Sequence, residues 1–110
     1  MKHISIIGVG LIGGSFALDL KRLIPGVSIC GIDHNEKHLT EALELGIIDK
    51  IADLESVRSA DLVVLALPVN AAINVLLQVL ELISDQTIVI DMGSTKQAIC
   101  KAVAIHPKRA

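Results

Sequence analysis

Gly8, Gly10 and Gly13 are spaced G-x-G-x-x-G and follow directly on the apolar run Ile4 to Ile7. In that setting each glycine has its own use. Gly8 permits a tight turn, Gly10 keeps side-chain bulk away from an approaching phosphate, and Gly13 lets a following helix pack closely on the strand. The first N–H groups of that helix, Leu11 and Ile12 among them, lack intrahelical partners and carry partial positive charge. The chemistry on offer is therefore the binding of a diphosphate. A glycine-rich turn of purely structural use has the same spacing, so a second residue must decide. Asp33 ends the next apolar run, twenty residues after Gly13, where a carboxylate accepts hydrogen bonds from the hydroxyls of an adenosine ribose. A carboxylate there repels a 2′-phosphate, and neither His34 nor Asn35 supplies the arginine that would bind one. NAD is thus expected over NADP, with His34 and His38 facing solvent.

Two further strand ends belong to the same edge, because ligands of open α/β sheets bind outside the carboxyl ends of the strands. Leu67, Pro68 and Val69 are candidates for an apolar wall against the cofactor. A strand-to-helix turn with Asn70 as N-cap explains the same residues structurally. Ser94, after Asp91, Met92 and Gly93, is a candidate hydroxyl beside nicotinamide and substrate, and with Gln97 it also matches a capping box. Lys96 fits a solvated lysine better than a substrate anchor.

These residues need a parallel sheet to hold them, and apolar β-branched runs alternate with helical periodicity along the whole chain, which is βαβ order. Strands are expected at Ile4–Ile7, Ser28–Ile32, Lys50–Ala52, Asp61–Leu67 and Thr87–Ile90. Helices are expected at Leu11–Leu23, Glu36–Leu45 and Asn70 to Ile83, the second capped by Asn35 and stopped by Gly46. The run Leu62 to Leu67 has no polar face, as befits a strand covered on both sides. The third helix shows only Asn74, Gln78 and Glu81 as a polar stripe. It is therefore expected to meet a second surface beyond the sheet, either another part of a longer protein or a second subunit. The fold class is α/β, a Rossmann-type doubly wound sheet in a single domain over residues 1–110.

Composition narrows the partners. Of 110 residues, 52% are apolar and 20% charged, with a formal net charge of −2 and a single aromatic residue, Phe16. No basic stripe or stacking platform suggests nucleic acid. Cys30 and Cys100 have no metal-ligand or disulfide spacing, so no metal site is expected and a reduced cytoplasmic setting fits. Lys2 and His3 before an apolar stretch loosely imitate a signal peptide, but four glycines and the prompt Asp19 and Lys21 argue against it, and no membrane span is expected.

Three segments together, Gly10 to Ser15, Leu65 to Val69 and Asp91 to Lys96, resemble the prephenate/arogenate dehydrogenase family. The resemblance runs through the whole chain. It implies NAD-dependent oxidative decarboxylation of prephenate to 4-hydroxyphenylpyruvate, or of arogenate to tyrosine, in tyrosine biosynthesis. Other readings are a non-catalytic NAD-binding module and a fragment of a hydroxyacid or pyrroline-carboxylate reductase. The resemblance also implies a homodimer built by a helical C-terminal domain, with the substrate between the two domains. On this reading Gly8, Gly10, Leu11, Ile12, Gly13, Asp33, Leu67, Pro68 and Val69 bind the cofactor, and Ser94 is the catalytic residue. The family's catalytic histidine sits in a His-Pro-x-Ala-Gly motif. His106 and Pro107 begin like it, but Lys108, Arg109 and Ala110 do not continue it, so His106 is not assigned. The chain is expected to be truncated before that histidine, a sixth strand and the helical domain, and to bind NAD weakly without turning over prephenate.

Overall fold

The computed structural model describes residues 2–92. Five parallel strands form one sheet: β1 (His3–Ile7), β2 (Ser28–Ile32), β3 (Lys50–Ile51), β4 (Leu62–Leu65) and β5 (Ile88–Asp91). Their order is β3-β2-β1-β4-β5. The chain thus moves outward in one direction through β2 and β3, then returns past β1 and moves the other way. The reversal falls between β1 and β4, and it opens a crevice at their carboxyl ends. Helices α1 (Leu11–Leu23), α2 (Glu36–Glu44) and α3 (Val69–Leu82) and a 3-10 helix (Leu54–Ser59) connect the strands. This is the doubly wound α/β architecture expected from the sequence.

Alternation along the strands divides the core in two. Ile4, Ile6, Ile29, Leu62 and Val64 pack against Ala17 and Leu20 of α1 and Leu39 and Ala42 of α2. Ile7, Ile32, Val63 and Leu65 turn the other way, onto Val57 of the 3-10 helix and Leu76, Val79 and Leu80 of α3. All four β4 residues are buried, which explains a strand without a polar face.

The second surface expected for α3 lies partly within the chain. Leu54 and Val57 of the 3-10 helix join the same cluster as Ile73, Leu76 and Leu77, so the apolar breadth of α3 does not by itself require an outside partner. The sequence reading missed this helix because so short a 3-10 segment has no apolar period of its own. Asn70 does not cap α3. The helix begins at Val69 with Pro68 in the cap position and no side-chain cap bond, so Asn70 lies inside the first turn. Proline's fixed φ and missing N–H suit a chain entering a helix.

Both expected ends of α2 are observed, though its last residue is Glu44. The Asn35 side chain accepts from the N–H groups of Lys37 and His38. At the other end Gly46 takes φ 75°, and the N–H groups of Gly46 and Ile47 reach back to the carbonyls of Leu43 and Ala42, the paired closure of a Schellman motif. Asp61, expected in β4, instead precedes it and accepts from the N–H groups of Lys2 and His3 at 2.8 and 2.9 Å. No helix among the described residues is long and apolar enough to cross a membrane. Ser94, Lys96 and His106, with the helix expected from Ser94, lie outside the described residues.

Candidate functional site

The three glycines of the turn differ in what a methyl group would meet. Gly8 has φ 93°, and a Cβ there would stand 2.5 Å from the Ala66 carbonyl oxygen and 3.0 Å from Leu67 Cδ2. A Cβ on Gly13 would stand 2.1 Å from the carbonyl oxygen of Gly8. These two glycines let the turn fold under the helix and against the end of β4. A Cβ on Gly10 would meet nothing within 4 Å. Gly10 is the N-cap of α1 and makes no side-chain bond, and the first turn contains no acidic residue. Leu11 and Ile12 form that turn, so their backbone N–H groups belong to the unpaired set at a helix start.

Asp33 follows β2 directly and comes to the same edge. Its side chain is only 5% exposed, and both oxygens are occupied by loop amides. Oδ2 accepts from the N–H of Val9 at 3.0 Å and Oδ1 from the N–H of Asn35 at 2.9 Å. Asp33 therefore ties the glycine turn to the loop after β2, a role that the sequence did not reveal. The Nδ1 of His38 lies 3.3 Å from Oδ2 and that of His34 lies 3.5 Å from Oδ1. His34 faces solvent as expected, whereas the half-exposed His38 ring is also a partner of Asp33. A carboxylate has only acceptors, so the His38 contact is a hydrogen bond when Nδ1 carries the hydrogen. Burial opposes ionisation of Asp33. The Asn35 and Val9 amides, the His38 hydrogen bond and the charge of that ring outweigh it, and hold the carboxyl below its ordinary range. A carboxylate has about four acceptor positions, and these three hydrogen bonds leave room on Oδ1 for a hydroxyl.

Leu67 and Pro68 follow β4 beside the crevice, Leu67 half-buried against Gly8 and Pro68 exposed. Val69 begins α3. The sheet edge thus gathers Gly8, Gly10, Gly13, Asp33, Leu67 and Pro68 around the β1–β4 reversal. A separate groove of about 350 Å³ runs between α1 and α2, lined by Val9, Gly10, Ser15, Leu18, His38 and Leu45 among others. It touches the glycine turn at Val9 and Gly10 and lies on the α1–α2 side rather than across the reversal. Cys30, buried in β2, offers no nucleophile. Burial chiefly pushes its thiol up, with Asp49 adding to this and Lys50 opposing it.

A parallel sheet reversing beside a glycine-opened helix start, with a carboxylate at the next strand end, defines a dinucleotide-binding α/β domain. The family profile described as the prephenate dehydrogenase nucleotide-binding domain matches residues 16–110, and the chain belongs to this family. It is 39% identical over 99 residues to the prephenate dehydrogenase of Bacillus subtilis, a match covering 87% of the chain and 27% of that protein. The prephenate dehydrogenase of A. aeolicus, solved with hydroxyphenyl propionate and NAD+, superposes with a TM-score of 0.88 at 34% identity, over 99% of this chain and 40% of that one. The arogenate dehydrogenase of Synechocystis gives a TM-score of 0.81 at 30% identity, over 91% and 36% of the two chains. The chain therefore spans well under half the length of these relatives.

Proposed function

We propose that this chain is the NAD-binding domain of a dehydrogenase that oxidatively decarboxylates prephenate to 4-hydroxyphenylpyruvate in tyrosine biosynthesis. The observation that carries the proposal is the meeting of the open Gly10 helix start with Asp33 at the reversal of the sheet. The residues fit the cofactor: space without side chains where a diphosphate would lie, and a buried carboxylate with an acceptor position left for a ribose hydroxyl. Gly8, Gly10 and Gly13 shape the diphosphate seat, the N–H groups of the Leu11–Ile12 turn face its charge, and Asp33 holds the adenosine ribose. Leu67, Pro68 and Val69 wall the nicotinamide side. Bound NAD supplies the hydride acceptor. Ser94 stands in the segment after β5, so we assign it the hydroxyl next to the reacting groups on the strength of the family resemblance.

The A. aeolicus and Bacillus relatives favour prephenate as substrate, and the Synechocystis relative keeps arogenate as the second reading. We place the protein in the cytoplasm as a homodimer in its full length, a placement that rests on the resemblance and on two cysteines without disulfide or metal-ligand spacing. Full-length protein given NAD and either prephenate or arogenate decides the reading, with NADH absorbance as the readout. Faster reduction with prephenate supports the proposal, and reduction with arogenate alone moves it to the second reading. The 110-residue chain alone is expected to bind NAD and to oxidise neither substrate, since it spans 27% of the Bacillus relative.

A further inference from the structure

The corner where the adenosine ribose would dock holds more titratable groups than sugar recognition needs. One imidazole stands at each oxygen of Asp33, His34 Nδ1 at 3.5 Å from Oδ1 and His38 Nδ1 at 3.3 Å from Oδ2. Two backbone amides already fix the carboxylate, so the rings are not required to orient it. Their distinctive contribution is charge. With both rings neutral the corner carries the single negative charge of Asp33, which repels a 2′-phosphate. With both rings protonated it carries a net positive charge, which attracts one.

We propose that His34 and His38 make the choice between NAD and NADP depend on protonation, strict for NAD when the rings are neutral and relaxed when they are charged. The proposal rests on the reading of this domain as NAD-binding. The surroundings leave the histidines as the switch. In the groove beside His38, α1 contributes Gly14, Ser15 and Leu18, and the phosphate turn contributes Val9 and Gly10, none of them charged. Among the described residues lining that groove the other titratable group is Glu41, three residues along α2. Glu36 and Lys37, exposed in the first turn of α2, oppose each other in sign. Asp33 stays ionised throughout, because its carboxyl is held below the ordinary range.

Calorimetric titration of the chain with NAD and with NADP at pH 8 and pH 6 tests this, in the original protein and in an H34Q/H38Q variant. Thermal melting confirms that the variant folds, as replacement of two surface rings should allow. The NADP-to-NAD affinity ratio is expected to rise about fivefold from pH 8 to pH 6, the size of a partly exposed charge contact. The variant should show a smaller rise or none. An unchanged ratio in the original protein overturns the proposal, and so does NADP binding that is undetectable at both pH values while NAD binds. An equal rise in the variant also overturns it, by tracing the effect to the 2′-phosphate's own titration near pH 6. Failure of NAD itself to bind at either pH would instead overturn the reading of the domain.

Discussion

Gly10 and Gly13 stand three residues apart and should fail in different ways when a methyl group is added. At Gly13 the new carbon would sit 2.1 Å from a backbone oxygen, a clash that no side-chain rotation relieves. Gly13→Ala should cost about 3 kcal/mol of stability or more, read as a lowered thermal midpoint. At Gly10 the methyl enters open space, so Gly10→Ala should cost only about 0.5–1 kcal/mol, the difference between glycine and alanine at a helix N-cap. It should nonetheless weaken NAD about tenfold or more, because the methyl enters the diphosphate seat. Asp33→Asn separates the functions differently. The carboxylate accepts an amide N–H on each oxygen, so the carboxamide must turn its NH2 group onto one of them. The expected loss is about 1–3 kcal/mol in thermal unfolding, together with weaker NAD binding. The spacing of the glycines and the register of Asp33 were legible because both are fixed along the chain. The Val9–Asp33 link was not, since two loops must first fold together to join residues 24 positions apart.

Helix α2 carries His38 to Asp33, and its ends are set by Asn35 and Gly46. Asn35→Ala removes the acceptor for the Lys37 and His38 amides. It should destabilise the domain by about 1 kcal/mol in denaturant unfolding. These ends were legible because capping residues act through their own side chains or backbone freedom. The start of α3 was misplaced at Asn70 for a related reason: a cap-forming residue type was available, but Pro68 already sets the entry. The 3-10 helix was invisible because what defines Leu54 and Val57 as core is the neighbouring α3, not their spacing. The 3-10 helix in turn covers part of the broad apolar surface of α3.

At the scale of the whole molecule, Asp33, Asp49 and Asp61 tie loops and strand starts together through backbone N–H groups. Asp33 holds Val9 and Asn35, Asp49 holds Ile29 and the Lys21 ammonium, and Asp61 holds Lys2 and His3. Burial works against Asp33 and Asp49 but is outweighed by hydrogen bonds and nearby charge, and at Asp61 the amides of His3 and Lys2 lead. All three carboxyls lie below the ordinary value of 3.8. A carboxyl held low when folded binds its proton more readily unfolded, so its contribution is complete above the unfolded value and is lost as pH falls through the folded ones. Circular dichroism should therefore show stability falling once the pH drops below about 4, and Asp49→Asn should flatten that fall. The doubly wound class was legible because alternation of strand and helix constrains topology strongly. The position of the ligand is the claim on which the function depends. Amide chemical shifts followed during an NAD titration test it most directly. Saturable shifts at Gly8, Gly10, Gly13 and Asn35 are expected; shifts confined to Leu18, Leu45 and Ile47 in the groove between α1 and α2, or no saturable shifts, would contradict it.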